Sequence, residues 1–302
     1  MTPTFPAEGF TVTDNVVQLA VHEAATRPAG PVNDDVVGYA SKAAWVIDGA
    51  TDIGDEPLVD ARSDAAWRAR TIGDWLTARA GVLPSDLDEM IPSLTKHVAQ
   101  DFTRRCYRTP AGRFEHPSAS GFIIRLEGEE LGYLAVGDCT LLVQAPGRAV
   151  NRYGVAEDEA GDAWLAQHLS EAAAAPNSNA TDLRAGLLPV LRQARDRMNL
   201  SPGYGVFPIT PPPSDYVLSG RIPLELGTRI LLASDGFMRL VDVFNLFTLD
   251  ALIHETFHRG VPVMIDILRG TEQSDAACRR FPRAKRSDDA SALLATVGLA
   301  SR

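Results

Sequence analysis

The chain has 302 residues, enough to bury one large core or two small ones. Hydrophobic residues make up 45% of it, and no apolar run approaches the roughly 18 residues of a membrane span. The formal net charge of −10 argues against a general nucleic-acid binder and against a protein of anionic membrane surfaces. At this charge, a phosphorylated substrate has to be held by local positive charge from arginines or bound cations.

Two further features bear on the compartment. Residues 1–10 have no basic segment ahead of an apolar stretch, so no secretory signal is predicted. The three cysteines lie far apart in the chain, at Cys106, Cys139 and Cys278. This odd number and wide spacing predict neither a disulfide framework nor a four-cysteine zinc site. Structural thiols in a reducing cytoplasm are therefore expected.

The N-terminal part of the chain predicts strands followed by two helices. Strands are expected over 16–20 and 36–47, the second interrupted by a turn at Ser41-Lys42 in the manner of a hairpin. A helix is expected over 60–80, where apolar residues recur at helical spacing. A second helix is expected to begin at Pro92, because the missing N–H of proline is harmless in a first turn.

The rest of the chain continues with strands and helices in separate groups. A three-stranded meander is predicted over 121–126, 131–136 and 140–144, followed by helices over 157–174 and 182–198 and an irregular loop over 201–214. A buried strand, two helices and a closing strand are then predicted over 229–233, 248–259, 262–280 and 291–297. This grouping indicates α+β layers rather than alternating βαβ units.

Aspartates recur where the predicted strands begin or end. They are Asp34, Asp35, Asp48, Asp138, Asp235, Asp288 and Asp289. Carboxylates gathered at one end of a sheet repel one another unless cations neutralise them. Oxygen ligands without imidazole or thiolate partners select hard ions such as magnesium, manganese or calcium. Two such ions about 3.5–4 Å apart activate water and steady an in-line phosphoryl displacement.

Glycine follows two of these aspartates, as Gly49 and Gly236, where it permits a tight turn and the close approach of a ligand. Taken singly, an Asp-Gly dipeptide after a strand is ordinarily a structural turn, and Asp138 is an ordinary hairpin residue. The hypothesis of divalent metal and phosphate chemistry therefore depends on the joint pattern.

Five segments carry these aspartates in order along the chain. They are Val32-Asn33-Asp34-Asp35, Trp45-Val46-Ile47-Asp48-Gly49, Ala135-Val136-Gly137-Asp138-Cys139, Leu231-Leu232-Ala233-Ser234-Asp235-Gly236 and Ser287-Asp288-Asp289-Ala290-Ser291. Together they resemble the signatures of the metal-dependent protein phosphatases of type 2C, in their bacterial form. The resemblance implies one catalytic domain over 1–302, an α+β four-layer α-β-β-α sandwich of two antiparallel sheets flanked by helices. A variable flap that bears on substrate choice would fall within 147–215.

The resemblance also implies a metal site at one edge of the sandwich. Its metal-binding residues would be Asp34, Asp35, Asp48, Gly49, Asp138, Asp235 and Asp288. Asp48 would bridge two Mn²⁺ or Mg²⁺ ions, and the Gly49 carbonyl would complete one of the two sites. Asp235 and Asp288 would hold the other ion, and Asp138 would take a weaker third ion. Asp48 and Asp235 are the expected catalytic residues.

Two positions depart from the pattern of this family. Many members place an arginine a few residues before the first segment to grip phosphate, whereas Gly30 stands there in this chain and Arg27 lies further upstream. Some members place a histidine directly after Asp-Gly as a general acid, whereas this chain has Ala50. Arg27 is therefore the candidate phosphate ligand. Water on a metal or the basic run 279–286 are alternatives, although such a run is more typical of a solvated surface.

A competing motif lies in the predicted helix over 248–259. His254, Glu255 and His258 form a His-Glu-x-x-His pattern, which on a helix presents two imidazoles to zinc and a carboxylate to its water. A catalytic zinc needs a third protein ligand, and no His-x-x-Gly-x-x-His continuation follows. A zinc metalloprotease is the weaker alternative, because it leaves the aspartate pattern unexplained.

The sequence thus predicts a cytoplasmic, metal-dependent phosphomonoester hydrolase. The expected reaction is the dephosphorylation of phosphoserine or phosphothreonine in proteins, through a water activated by two metal ions. The protein substrate is implied by the resemblance alone. A small phosphorylated metabolite as substrate and a non-catalytic binding relative remain alternatives. Neither nucleic acid nor a membrane is an expected partner.

Overall fold

Two antiparallel sheets form the centre of the computed structural model, which describes residues 17–154, 180–207 and 210–299. The first sheet contains, in spatial order, β1 (Val17–Arg27), β10 (Ala290–Leu299), β9 (Arg229–Ala233), β6 (Thr140–Gln144) and β7 (Asn151–Tyr153). The second contains β2 (Asp35–Ala40), β3 (Ala43–Gly49), β4 (Ala119–Glu127), β5 (Glu130–Val136) and β8 (Leu218–Pro223). The predicted hairpin turn is confirmed, since Ser41 adopts a left-handed φ of 55° between β2 and β3.

Helices cover the outer faces of the sheets. Within the described ranges they are α1 (Asp64–Arg79) and α2 (Ile91–Arg105) on one side, and α4 (Asp235–Asp242), α5 (Leu249–Arg259) and α6 (Val261–Ser274) on the other. Another helix, α3 (Ala180–Arg195), packs against the turn Arg113–Glu115. The Ser63 hydroxyl caps α1 by accepting a hydrogen bond from the backbone N–H of Ala66, at 3.0 Å. Pro92 lies in the first turn of α2, as its sequence position predicts. The predicted helix over 157–174 lies outside the described residues.

Three apolar layers separate the four layers of secondary structure. Trp45, Ile72 and Leu94 belong to the layer between the second sheet and helices α1 and α2. A central layer between the two sheets includes Val46, Phe122, Leu232 and Leu293. A third layer, with Leu231, Phe237 and Met264, joins the first sheet to α4, α5 and α6. The predicted four-layer α-β-β-α sandwich is therefore confirmed.

The predicted three-stranded meander is wrong, because its third strand belongs to the other sheet. β4 and β5 pair with each other, but β6 pairs with β7 and β9. The chain crosses over after Gly137, whose φ is +85°. β6 is apolar on both faces, with Leu141 in the central layer and Leu142 in the layer under the helices. A strand that is apolar on both faces fits the middle of a sheet that is covered on both sides. The short connection between β5 and β6 does not reveal that β6 belongs to the other sheet.

The last helix ends six residues earlier than the 262–280 range predicted from the sequence. After α6 ends at Ser274, the carboxylate of Asp275 accepts hydrogen bonds from the backbone N–H groups of Arg279, Arg280 and Phe281 at 3.0–3.1 Å. The Arg283 guanidinium bonds to the same carboxylate at 2.7 Å. These local bonds compete with helix continuation and build a fixed loop that leads to β10.

Three further observations concern membrane-spanning helices, the cysteines and the predicted flap. No helix among the described residues is long and apolar enough to cross a membrane. The three cysteines are unpaired thiols, with Cys139 and Cys278 buried and Cys106 half-buried. The predicted flap over 147–215 is only partly described, because residues 155–179 and 208–209 lie outside the described residues.

The crossover at Gly137 generates a test of the fold. A Cβ at this position would lie 2.3 Å from the Ser120 hydroxyl oxygen, whereas a Cβ at Gly128, whose φ is +61°, would meet nothing within 4 Å. We expect Gly128→Ala to cost about 1–2 kcal/mol from its left-handed backbone alone. Gly137→Ala should cost more, because steric overlap adds to the same backbone strain. Urea unfolding of both variants measures the difference, and equal losses would contradict this packing of the crossover.

Candidate metal centre

The aspartates that precede or follow the strands meet at the end of the sandwich where the two sheets come together. Asp35 and Asp48 are directly paired residues on β2 and β3. Asp48 lies in the electrostatic field of four neighbours, namely Asp35, Asp235, Asp138 and Asp288. Five carboxylates from five separate segments therefore share one site.

Hydrogen bonds across the gap between the sheets hold this end of the sandwich together. The Ser291 hydroxyl on β10 lies 2.7 Å from a carboxylate oxygen of Asp35 and 2.6 Å from the Thr26 hydroxyl on β1. The backbone N–H of Ser291 donates to the Ser234 hydroxyl at 3.1 Å. Short hydroxyl side chains thereby connect Asp35 on the second sheet to three segments of the first.

The loop before β2 is fixed by two other side chains. The Ser63 hydroxyl donates to Asp34 at 2.6 Å, so the residue that caps α1 also orients this carboxylate. The carboxylate of Asp289 accepts the backbone N–H groups of Ala29 at 2.6 Å and Asp34 at 2.5 Å. Asp289 thus has a structural role, whereas Asp288 beside it faces the other aspartates.

Glycine after Asp48 and Asp235 is explained by close packing rather than by a turn. A Cβ on Gly49 would lie 2.5 Å from the carbonyl oxygen of Asp34, and one on Gly236 would lie 1.9 Å from that of Asp289. Gly49 ends β3, and Gly236 lies in the first turn of α4. The predicted tight turns are therefore wrong at both positions, where the close approach of another backbone segment is what requires glycine. The predicted approach of a ligand stays a prediction.

Burial and mutual repulsion raise the pKa values of most of these carboxyl groups. Burial, followed by its charged neighbours, raises the pKa of Asp35 to about 8 and that of Asp138 to about 6. The same causes raise the pKa of Asp48 well above its ordinary value. The pKa of Asp34 is also raised, chiefly by burial. The site therefore disfavours its own negative charge unless a cation is added.

The pKa of Asp288 shifts in the other direction, because two cationic side chains contact it. The Lys285 ammonium lies 2.8 Å from one carboxylate oxygen, and the Arg239 guanidinium lies 2.7 Å from the other. Burial pulls the pKa of Asp288 upward, but the attraction of Lys285 and Arg239 outweighs it and leaves the pKa below its ordinary value. Sequence reasoning missed Arg239. Its signal is the spacing from Asp235, which places both residues on one face of α4.

A cavity of about 800 Å³ opens beside the aspartates. Its lining includes Asp34, Thr51, Ser63, Lys285, Asp288 and Asp289. Arg27, the candidate phosphate ligand, is not among the lining residues. Its guanidinium forms an ion pair with Asp266 on α6, and its side chain is 40% exposed. Of the predicted metal-binding residues, the cavity therefore reaches Asp34 and Asp288, whereas Arg27 is engaged elsewhere.

The His-Glu-x-x-His motif lies apart from this site. His254 and His258 are exposed on α5 with ring centroids 6.5 Å apart, and Glu255 forms an ion pair with Arg259. Across residues 17–154, 180–207 and 210–299, no three His, Cys, Asp or Glu side chains are arranged so that they could hold a metal ion as they stand. This applies to the histidines and to the aspartates alike.

The aspartates nevertheless fit a hard divalent ion by the chemistry of their donors. All are carboxylates, which Mg²⁺ and Mn²⁺ prefer over imidazole or thiolate sites. Their raised pKa values show an unmet demand for positive charge. Lys285 and Arg239 engage Asp288. A bound ion would reverse the repulsion and draw the oxygens together.

Solved structures with the same fold include serine/threonine phosphatases and a regulatory component of a secretion system. The serine/threonine phosphatase PstP/Ppp of Mycobacterium tuberculosis is 13% identical, with a TM-score of 0.55 over 93% of this chain and 99% of its own. The catalytic domain of PstP in complex with two manganese ions is 16% identical, with a TM-score of 0.53 over 94% and 100%. PppA, a regulatory component of the T6SS in Pseudomonas aeruginosa, is 13% identical, with a TM-score of 0.52 over 93% and 97%.

No protein-family model and no curated protein sequence matches the chain. At these low identities, the likeness to the solved structures establishes a shared fold. It agrees with the fold implied by the five sequence segments.

The raised pKa values predict how the stability of the metal-free protein depends on pH. A carboxyl with a pKa of about 8 in the folded state binds its proton more tightly than in the unfolded chain, where the pKa is about 3.9. Stability is then highest at low pH and is lost as the pH rises through this window. In chelator, we expect the melting temperature to fall between about pH 5.5 and pH 8.

Asp35→Asn should flatten this dependence, because the amide is neutral throughout the range. Asp55→Asn is the matched control, since its carboxylate is 90% exposed and pairs with Arg192 at the surface. Thermal unfolding across the pH series gives the melting temperatures of the wild type, Asp35→Asn and Asp55→Asn. A chelated wild type that gains stability toward pH 8 would contradict the account of mutual repulsion.

Proposed function

We propose that the chain is a metal-dependent phosphomonoester hydrolase that removes phosphate from phosphoserine and phosphothreonine in proteins. The observation that carries the proposal is the convergence of Asp35, Asp48, Asp138, Asp235 and Asp288 on one edge of the sandwich. The sequence segments that hold them occur in the order expected of type 2C phosphatases. The fold that the chain shares with serine/threonine phosphatases supports the same function.

The proposed metal ligands are the residues expected from the sequence, namely Asp34, Asp35, Asp48, Asp138, Asp235, Asp288 and the Gly49 carbonyl. When bound, two Mn²⁺ or Mg²⁺ ions would supply water activation and neutralise charge on the phosphoryl oxygens. The PstP catalytic domain with two manganese ions supports this choice of metal. Asp48 is proposed as the shared ligand, because it lies in the field of four other carboxylates.

The remaining residues of the site orient these ligands. Ser63 and Ser291 each donate a hydroxyl hydrogen bond to a carboxylate, of Asp34 and Asp35 respectively. Gly49 and Gly236 allow the backbones that carry the ligands to pack within van der Waals contact of each other. Carboxylates held in this way lose little conformational freedom when they bind an ion.

A protein substrate is favoured over a small metabolite by the chain segment that borders the site. The Arg195 guanidinium on α3, within the proposed flap, donates to the carbonyl of Thr51 at 2.9 Å, and Thr51 lines the cavity. We propose that the chain is one catalytic domain in which the 147–215 segment borders the substrate. The three free thiols and the acidic net charge support a cytoplasmic enzyme without nucleic-acid or membrane partners.

The proposal is tested by hydrolysis of an aryl phosphate with manganese, magnesium, zinc or chelator. Asp48→Asn should lower manganese-dependent turnover by well over a hundredfold, because even the outer partners of metal ligands are worth about 10–100-fold. Glu255→Gln is the control and should leave turnover unchanged, since Glu255 pairs with Arg259 on the outer helix. Zinc-dependent peptide cleavage that disappears in Glu255→Gln would instead support the metalloprotease.

A further inference from the structure

Positive charge at the proposed active site comes from few side chains. The cations that line the cavity are Arg269, Lys285 and Arg286. Arg269 is engaged by Glu272 at 2.7 Å and by the backbone carbonyls of Arg27 and Asp288 at 3.0 and 2.7 Å. Arg286 is exposed and bonds to Gln273 at 2.7 Å. Among the cations that line the cavity, Lys285 is the one whose side chain contacts a carboxylate of the aspartate cluster, that of Asp288.

The Lys285 ammonium makes two hydrogen bonds in this position. It donates to the Thr51 hydroxyl at 2.6 Å and to Asp288 at 2.8 Å, with 27% of its side chain exposed. An ammonium has three N–H donors, so these bonds use two of them. Lys285 is thus a half-buried cation at the wall of the cavity, and one donor remains for a ligand.

The loop that carries Lys285 is built before any ligand arrives. Arg283 is buried and donates to the Asp275 carboxylate, to the carbonyls of Asp275 and Phe281, and to that of Arg286. These bonds close a loop on both sides of Lys285. The fold therefore holds the Lys285 ammonium in one position, which lowers the entropic cost of binding an anion there.

The charge balance at Asp288 indicates what the ammonium would do in the active enzyme. Arg239 bonds to the second oxygen of this carboxylate at 2.7 Å, so Asp288 keeps one cationic partner of its own. A divalent ion on Asp288 would neutralise the carboxylate and weaken its attraction for Lys285. The ammonium would then be available at the cavity wall to a dianionic phosphoryl group.

We propose that Lys285 binds the phosphoryl group of the substrate, the task for which the sequence alone indicates Arg27. This inference rests on the proposed function and adds to it a phosphate-binding residue. Lysine acts on phosphate as a compact point charge, and a hydrogen bond to a charged group is among the stronger polar contacts. The hydroxyl of Thr51, which is neutral, accepts a hydrogen bond from the ammonium and fixes its position.

Calorimetric titration of the manganese-loaded protein with inorganic phosphate tests this role. Lys285→Gln should weaken phosphate binding by roughly tenfold to a hundredfold. Lys285→Arg, which keeps the charge, should recover most of it. Lys42→Gln is the matched control, since it removes an exposed lysine at the turn between β2 and β3, away from the cavity, and should bind phosphate like the wild type. Manganese affinity is measured first for every variant.

The kinetics with an aryl phosphate give a second readout. Lys285→Gln should raise KM by a similar factor and leave kcat largely unchanged, because the contact is made in both the ground state and the transition state. Unchanged phosphate binding in Lys285→Gln would overturn the inference. Parallel loss of manganese and phosphate binding would overturn it as well, because Lys285 would then only hold Asp288 in place. Failure of the proposed function is distinct, since the wild type itself would then bind no manganese.

Discussion

Repulsion among carboxylates held together where two sheets meet is the constraint on which the rest of this structure depends. Burial, and after it the charge of the neighbouring carboxylates, raises the pKa values of Asp35, Asp48 and Asp138, which marks a free-energy cost in the metal-free protein. The fold offsets part of that cost from within. Lys285 and Arg239 engage Asp288, and hydroxyl groups donate to Asp34 and Asp35. A divalent cation would neutralise the carboxylate charge that these contacts leave uncompensated.

Three apolar layers hold the aspartates at fixed places in spite of this repulsion. β3, β9 and β10 are buried on both faces, so the residues at their ends cannot move apart without disturbing two layers of core. Asp48 is the penultimate residue of β3, Asp235 follows β9 and Asp288 precedes β10. Rigid strands suit a site of this kind, because ligands on such elements are positioned more reproducibly than ligands on loops. The same layers place Ser291 where its hydroxyl joins the first sheet to Asp35 on the second.

The sequence predicts best what depends on local patterns. The hairpin turn at Ser41, the start of α2 near Pro92 and the strand over 229–233 follow from turn chemistry, proline geometry and apolar runs. It predicts less well what depends on contacts between distant segments. The move of β6 to the other sheet is decided by its partners β7 and β9. The pairing of Arg27 with Asp266 joins residues that lie 239 positions apart, which no local pattern encodes. The strands β7 and β8 were not predicted, since both are short and largely polar or interrupted by glycine.

Thermal unfolding in chelator and across a manganese series tests most directly whether the aspartate cluster is a metal site. A cation that binds only the folded state adds a stability of RT ln(1 + [L]/Kd), about 2.7 kcal/mol at a hundredfold excess over Kd. The account predicts a wild-type melting temperature that rises with manganese. Asp235→Asn, which removes one of the repelling charges, should melt at or above the chelated wild type and gain much less from the metal. A wild type with no shift at saturating manganese would contradict the account, because the repelling carboxylates would then not bind a divalent ion.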